Sequence, residues 1–327
     1  MKQVSSLHKK ILKKKKIVSC KIFCIGDIML DHYVYGKIER MSPEAPIPIL
    51  SYEKENYQLG GAGNVARNIS DLGGKCSLLS VVGIDNTSNK INKLISQEKN
   101  IKSVVVNDKN FKAPIKTRYI NRAKHLLRVD DENRMFKLNA NLKQKVLNII
   151  LLNIKKCNLV ILSDYNKGLL DREIIKKVMK LAKRYNKLII ADPKKNDFSF
   201  YRDIDILTPN QKEISDSAGK KLNSEKEIVS YARTVIEKYN IKEILVTRSS
   251  KGMLLIGSDY KHKIKPKADK VKDVTGAGDT VISVLALMKG LGWGTVDASI
   301  MANIAAGIII GKPGTATLSY SELKKNY

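Results

Sequence analysis

The sequence predicts an α/β fold in three layers: a mainly parallel sheet, helices on both of its faces, and a small β lid. Short apolar runs alternate with longer amphipathic segments from Lys21 onward, the mark of strand–helix–strand units. Two stretches, 33–57 and 113–129, break the alternation and leave no room for a helix between strands. With 327 residues and 43% hydrophobic content, the chain can bury a sizeable core.

The elements follow in order. Residues 1–18 carry Lys9, Lys10 and Lys13 to Lys16 and read as a basic N-terminal extension. A strand over 21–25 leads, beyond the first lid stretch, to a glycine-rich loop and a helix over 65–72. A strand over 76–82 and a helix over 90–97 come next. The second lid stretch alternates around Ile115, Thr117, Tyr119 and Leu127, and a helix over 143–154 follows it. Strands over 159–162, 188–191, 204–207 and 243–246 then alternate with helices over 172–184, from Gln211, and over 225–238. No internal repeat or low-complexity linker divides the chain, so 19–327 reads as one domain with its lid segments inserted.

Composition narrows the function classes. No apolar run approaches the length of a membrane span, and the N-terminus lacks a signal-peptide core, so the expectation is a soluble, cytoplasmic protein without a membrane partner. The net charge of +28 invites a nucleic-acid reading. Only 11 of the cations are arginine against 49 lysines, however, and aromatics are not interleaved with basic clusters as a stacking platform requires. Anionic small substrates suit the same charge, and no nucleic-acid partner is expected. Cys20, Cys24, Cys76 and Cys157 lack zinc or redox spacing and read as buried reduced thiols. The four histidines, 8, 32, 125 and 262, are scattered.

Three motifs carry chemistry. Asp273-Val274-Thr275-Gly276-Ala277-Gly278-Asp279-Thr280 precedes an apolar helical run over 281–288. Small residues before a helix N-terminus make an anion hole of backbone amides. An acid inside that hole is misplaced as an anion ligand but well placed as a base beside a transferring phosphoryl group. An ordinary first-turn acid after a glycine loop is the alternative. Gly60-Gly61-Ala62-Gly63-Asn64 lets a second helix start approach a ligand, and Asn64 is either a sugar-hydroxyl partner or a simple N-cap. Thr208-Pro209-Asn210-Gln211-Lys212-Glu213 places Asn210 and Glu213 three apart, as a capping box, as groups ordering water and Mg²⁺ near phosphates, or as both.

Taken in this order and spacing, the motifs resemble the ribokinase-like, or PfkB, family of sugar kinases over nearly the whole chain from about residue 20. Within it the likeness is closest to the branch that phosphorylates D-glycero-β-D-manno-heptose 7-phosphate. That closer likeness rests on Gly26-Asp27-Ile28-Met29-Leu30-Asp31 and Ser42-Pro43-Glu44-Ala45-Pro46. It continues in Leu162-Ser163-Asp164-Tyr165 with Lys167-Gly168, Asp192-Pro193-Lys194, Thr247-Arg248-Ser249, and Gly311-Lys312 with Gly314-Thr315.

The resemblance implies a ribokinase-like fold and a set of roles. Asp279 would take the proton of the anomeric hydroxyl, while the amides of Gly276, Ala277 and Gly278 stabilise the transferred phosphoryl group. The segment Asn210, Gln211, Lys212 and Glu213 would lie by ATP, with Glu213 reaching Mg²⁺ through water. Thr247 and Arg248 would neighbour the nucleotide, and Asn303 its adenine side. Asp31, Gly61 and Asn64 would hold the sugar. Arg118, Arg122, Arg128, Lys167 and Lys194 would be candidates for the 7-phosphate, although each also reads as a solvated cation, and Arg128 as a partner of Asp130. The product would be the 1,7-bisphosphate, on the way to ADP- or GDP-heptose and lipopolysaccharide.

The resemblance further implies a homodimer through lid strands and leaves a monovalent cation open. Many relatives carry a C-terminal nucleotidylyltransferase domain, and this chain stops at Tyr327. The second activity is therefore expected to be separate, or the chain to be a fragment. The rivals are another sugar or nucleoside kinase of this fold, and a basic nucleic-acid binder without catalysis.

Overall fold

The computed structural model describes residues 14–122, 124–132, 136–267 and 271–326. The strands, in chain order, are β1 (Lys21–Gly26), β2 (Ile28–Met41), β3 (Pro48–Gly61), β4 (Lys75–Leu79), β5 (Val81–Val82), β6 (Ile101–Ser103), β7 (Val106–Asn107), β8 (Ile115–Asn121) and β9 (Lys124–Asp131). They continue as β10 (Leu159–Ser163), β11 (Leu188–Asp192), β12 (Ile206–Leu207), β13 (Glu243–Thr247), β14 (Met253–Ile256) and β15 (Lys261–Ile264). The helices are α1 (Lys14–Ser19), α2 (Ala62–Asp71), α3 (Asn86–Ser96), α4 (Ala140–Ile154), α5 (Arg172–Arg184), α6 (Gln211–Ser217), α7 (Glu225–Tyr239), α8 (Ala277–Gly290), α9 (Thr295–Ile309) and α10 (Tyr320–Lys325).

Nine strands form the main sheet in the order β15-β14-β13-β12-β11-β10-β1-β4-β6. From β6 to β13 every pairing is parallel, and β14 and β15 add an antiparallel edge that the parallel expectation lacked. Central strands are covered on both faces, so they read as continuous apolar runs rather than alternating ones: all five residues of β10 are buried. Helix α5 shows the complementary logic. Asp171 caps its start by accepting from the Ile174 amide at 2.8 Å, and Ile174, Ile175, Val178 and Leu181 form its buried stripe. Helix α8 is buried almost all round, from Asp279 to Met288, between α2, α9 and the sheet.

The second sheet, β3-β2-β8-β9, is built from the two stretches that broke the alternation. Pro48 opens β3, a position where its missing N–H costs little. Strand β2 starts, and β3 ends, deeper in the domain than the lid boundary 33–57 suggested, because these inner ends are buried. The expected loop before the helix at Val65 is absent: β3 runs to Gly61 and α2 begins at Ala62. Gly61, at φ 57° and ψ −133°, makes the whole strand-to-helix change in one residue, a backbone state open to glycine and little else. Of the basic extension, 1–13 lie outside the described residues, and Ile17 in α1 is fully buried in the core. All four cysteines are free and buried, as expected.

Candidate active site

The strand order reverses between β1 and β10, which opens a crevice at the carboxyl ends of the parallel strands. Asp27 follows β1, Asp164 and Tyr165 follow β10, Asp192 ends β11, Asn210 follows β12 and Thr247 ends β13. The N-terminus of α8 meets them across a cleft of about 190 Å³ that Tyr165, Asp192, Lys194, Glu213, Thr247 and Gly278 help to line.

Asp279 sits in the first turn of α8 and is only 5% exposed. Asn64 donates to its Oδ2 at 2.7 Å, and the Tyr165 hydroxyl donates to its Oδ1 at 2.7 Å. Burial drives its pKa up to about 6, against the two hydrogen bonds and the charge of Lys194, which favour the anion; the charge of Asp31 adds to the rise. A carboxylate poised there is ionised at neutral pH yet basic enough to take a proton. Gly276 reaches φ 78° at the turn before α8, and a Cβ there would come within 2.8 Å of the Asn64 amide. Among the described residues, and apart from its own chain neighbours and helix backbone, nothing lies within 4 Å of a Cβ placed on Gly278. The Ala277 amide departs from its expected role, because it already donates to the Val274 carbonyl at 3.2 Å. Gly276 and Gly278 remain as the amides for an anion.

On the lid side, Asp31 is buried in β2. Arg118 of β8 donates to its Oδ1 at 2.6 Å and the Thr315 hydroxyl to its Oδ2 at 3.0 Å. The Asp31 carboxylate holds the Arg118 guanidinium charged against the opposing effect of burial. Tyr33 closes the group by a short contact with Thr315 and by accepting from the Thr315 amide at 2.9 Å. His125 of β9 approaches Asp273 at 3.7 Å, so the lid leans over the loop that carries Asp279.

The opposite wall is acidic. Burial first, then the charges of Glu213 and Asp279, hold the Asp192 carboxyl well above the usual range, with Lys194 and the Thr208 hydroxyl opposing. Glu213 and Asn210 form a capping box at α6: Asn210 accepts from the Glu213 amide at 2.9 Å, and Glu213 accepts from the Asn210 amide at 2.8 Å. The other Glu213 oxygen accepts from Lys194 at 2.7 Å. Oxygen donors crowded by like charge suit a hard cation such as Mg²⁺. Among the described residues no three His, Cys, Asp or Glu side chains converge tightly enough to hold a metal ion directly.

Several residues expected at the site are engaged by partners within the protein. Asn64 is fully buried behind Asp279: its side-chain amide donates to Asp279, and its own oxygens accept from Asn68. Lys194 falls on the acidic wall beside Asp192 and Glu213. Lys167 pairs with Glu132 at 2.7 Å, and the exposed Arg128 pairs with Asp130 at 2.9 Å. Arg122 is exposed at the turn joining β8 and β9, six positions or about 20 Å along the strand from Lys116, the partner of Asp31. Gln211 donates to the Leu222 carbonyl at 3.0 Å and Lys212 pairs with Asp216 at 2.5 Å, both over a separate surface depression. Arg248 is buried against the Lys251 carbonyl, with Glu225 at 3.8 Å. Asn303 donates to the Lys265 carbonyl at 2.8 Å.

Tyr165, Asp27, Asp192 and Thr315 had no role assigned from sequence, although each lies in a quoted motif. Their only sequence signal is an acid or hydroxyl immediately after an apolar strand or beside a glycine turn, a signal shared by many solvated residues.

The profile of the pfkB family of carbohydrate kinases matches residues 20–322. The chain belongs to that family of carbohydrate kinases. The chain is similar to the bifunctional protein HldE of Paramagnetospirillum magneticum, 37% identical over 99% of this chain and 66% of the relative. It is also similar to HldE of Rhodospirillum rubrum, 38% identical over 93% of this chain and 61% of the relative. It thus spans less than two thirds of the relatives it matches. Among solved structures, phosphofructokinase-2 from Escherichia coli aligns with a TM-score of 0.79 at 19% identity, covering 94% of this chain and 98% of that one. Ribokinase from Thermotoga maritima aligns with a TM-score of 0.70 at 20% identity, covering 94% and 98%. These likenesses fix the ribokinase-like fold.

Proposed function

We propose that the chain phosphorylates the anomeric hydroxyl of D-glycero-β-D-manno-heptose 7-phosphate, yielding the 1,7-bisphosphate. The observation that carries the chemistry is Asp279, a buried carboxylate at a helix N-terminus with one oxygen held by Tyr165, a residue that lines the cleft. The sugar hydroxyl loses its proton to Oδ1 of Asp279 and its oxygen bonds to the γ-phosphorus of ATP. The bond to the β–γ bridging oxygen breaks, and ADP leaves with that electron pair. The amides of Gly276 and Gly278 bind the charge on the phosphoryl oxygens. Asp31 and Gly61 sit where the sugar enters, and Asp31 keeps lone pairs for its hydroxyls. Arg118, buried at the root of the lid, is the cation best placed for a substrate phosphate. Asp192 and Glu213 would hold Mg²⁺, Glu213 through water, and the ion would neutralise phosphate charge.

The heptose substrate is supported by the HldE relatives, which match the chain from the lid through the Asp279 loop. A separate nucleotidyl transfer to the 1-phosphate would consume the product. The four free, buried cysteines support a cytoplasmic location. Among the described residues, no helix is long and apolar enough to cross a membrane. The potassium complex of phosphofructokinase-2 supports a monovalent-cation dependence here.

A panel of acceptors assayed by ADP release tests the reading. Heptose 7-phosphate should give the highest kcat/KM; turnover of ribose or fructose with none of heptose 7-phosphate overturns the substrate. Asp279→Asn should retain ATP binding and lose about 10²–10⁴-fold in kcat; near-normal turnover removes Asp279 from its role.

A further inference from the structure

We propose that Tyr165 is a positioning residue of the phosphoryl transfer, its hydroxyl holding Oδ1 of Asp279 in the place that the acceptor hydroxyl of the sugar takes over. This rests on the reading of Asp279 as the base.

The two oxygens of Asp279 are not equivalent. Oδ2 is held from behind by Asn64, which is fully buried and locked in turn by Asn68, itself the acceptor of the Thr280 hydroxyl at 3.1 Å. That side admits no substrate. Oδ1 is held by the Tyr165 hydroxyl at 2.7 Å, and Tyr165 and Gly278, the residue before Asp279, both line the cleft. A phenol there matches a sugar hydroxyl in kind: one O–H donor aimed at one carboxylate oxygen. Burial and the neighbouring charges of Asp279 and Asp192 keep the phenol protonated, so Tyr165 serves as a donor and is unsuited to be the base itself.

The loop bearing Tyr165 is built to hold it there. Asp27, buried at the end of β1, accepts from the amides of Tyr165 and Lys167 at 3.0 Å each and from that of Leu169 at 3.3 Å. Asn166 takes a left-handed φ of 57°, and its amide is fixed by Asp164 at 2.8 Å. Opposite, a Cβ on Gly61 would lie 3.5 Å from the Tyr165 ring. The backbone is thus anchored from one side, while the hydroxyl end stands in the cleft. An anchored residue of this kind orients the empty carboxylate and keeps it anionic. It then yields Oδ1, or shares its second lone pair, when the sugar arrives.

Tyr165→Phe keeps the ring and deletes the one hydrogen bond. The charged Asp279 loses a donor, so its titration should move to higher pH. Two measurements test this in the full chain, with Asp279→Asn beside it. The first is a ¹³C-carboxyl NMR titration of the unliganded protein, in which the Asp279 signal is assigned by its loss in Asp279→Asn. Its midpoint should rise by about half a pH unit or more in Tyr165→Phe. The second is the acid limb of kcat/KM with ATP and heptose 7-phosphate, which should rise equally, with kcat down about tenfold and KM for ATP unchanged. An unmoved NMR midpoint in a folded Tyr165→Phe overturns the proposal while leaving Asp279 as the base. Full turnover by Asp279→Asn overturns the base reading itself.

Discussion

Asp279 lies where burial and a helix N-terminus act in opposite directions on one carboxylate, and burial prevails by raising the pKa to about 6. The folded protein therefore binds the proton more tightly than the unfolded chain does. Stability conferred by that proton is present below pH 4 and is lost as pH rises through 6. Ionised Asp279 costs on the order of 2–3 kcal/mol at neutral pH, a functional carboxylate retained against stability. Asp279→Asn should therefore be at least as stable as the parent at pH 7.5. That margin should shrink as pH falls toward 5, because only the parent gains a proton; paired urea denaturations at the two pH values read it. The same titration should make kcat/KM fall below about pH 6, through loss of the base. The residue was singled out in the sequence because its glycine-flanked loop stands in order with the motifs over 60–64 and 210–213; alone the loop reads equally as an ordinary helix start. Adjacency to a glycine run says nothing about which way the Asn64 amide faces.

At the scale of elements, the site depends on two joints. Gly61 turns β3 into α2 within one residue, and a Cβ there would approach the Asp27 carbonyl to 2.5 Å. Gly61→Ala should cost at least about 1–3 kcal/mol from backbone conformation alone and more from that contact, measurable as a lowered urea midpoint with unchanged m. The other joint is the capping box that starts α6. Asn210→Ala should cost about 1 kcal/mol and raise KM for MgATP by loosening Glu213, whereas Asn210→Asp should keep the cap. Most helices were readable within a few residues because their apolar stripes repeat at 3.6. The start of α2 and the antiparallel strands β14 and β15 were not, since a one-residue joint and a sheet edge leave no period to read.

Over the whole molecule, charge and edges set the remaining behaviour. A net charge of +28 makes the compact state repel itself, so moderate salt should stabilise it. The Tm should rise by several degrees between about 20 mM and about 300 mM NaCl, as the screening length falls. The lid sheet ends in β9, whose Leu126, Leu127 and Val129 are exposed on an edge strand. Bare apolar edges invite pairing, which supports a homodimer through the lid strands. Leu127→Asp should then shift the mass seen by light scattering from dimer to monomer; a parent chain that is already monomeric removes the idea.

The sequence by itself determined the layered α/β fold with its small β lid, and the family. Each of these is written in local period, spacing or motif order. Only the tertiary structure decided which residues meet. It set Asn64 and Tyr165 on the two oxygens of Asp279, drew Arg118 to Asp31 across two strands, and turned Arg128, Lys167 and Arg248 to other partners. A charge pairs with whatever the fold brings within about 4 Å, and that distance is set by strand order and register, which residue type does not encode.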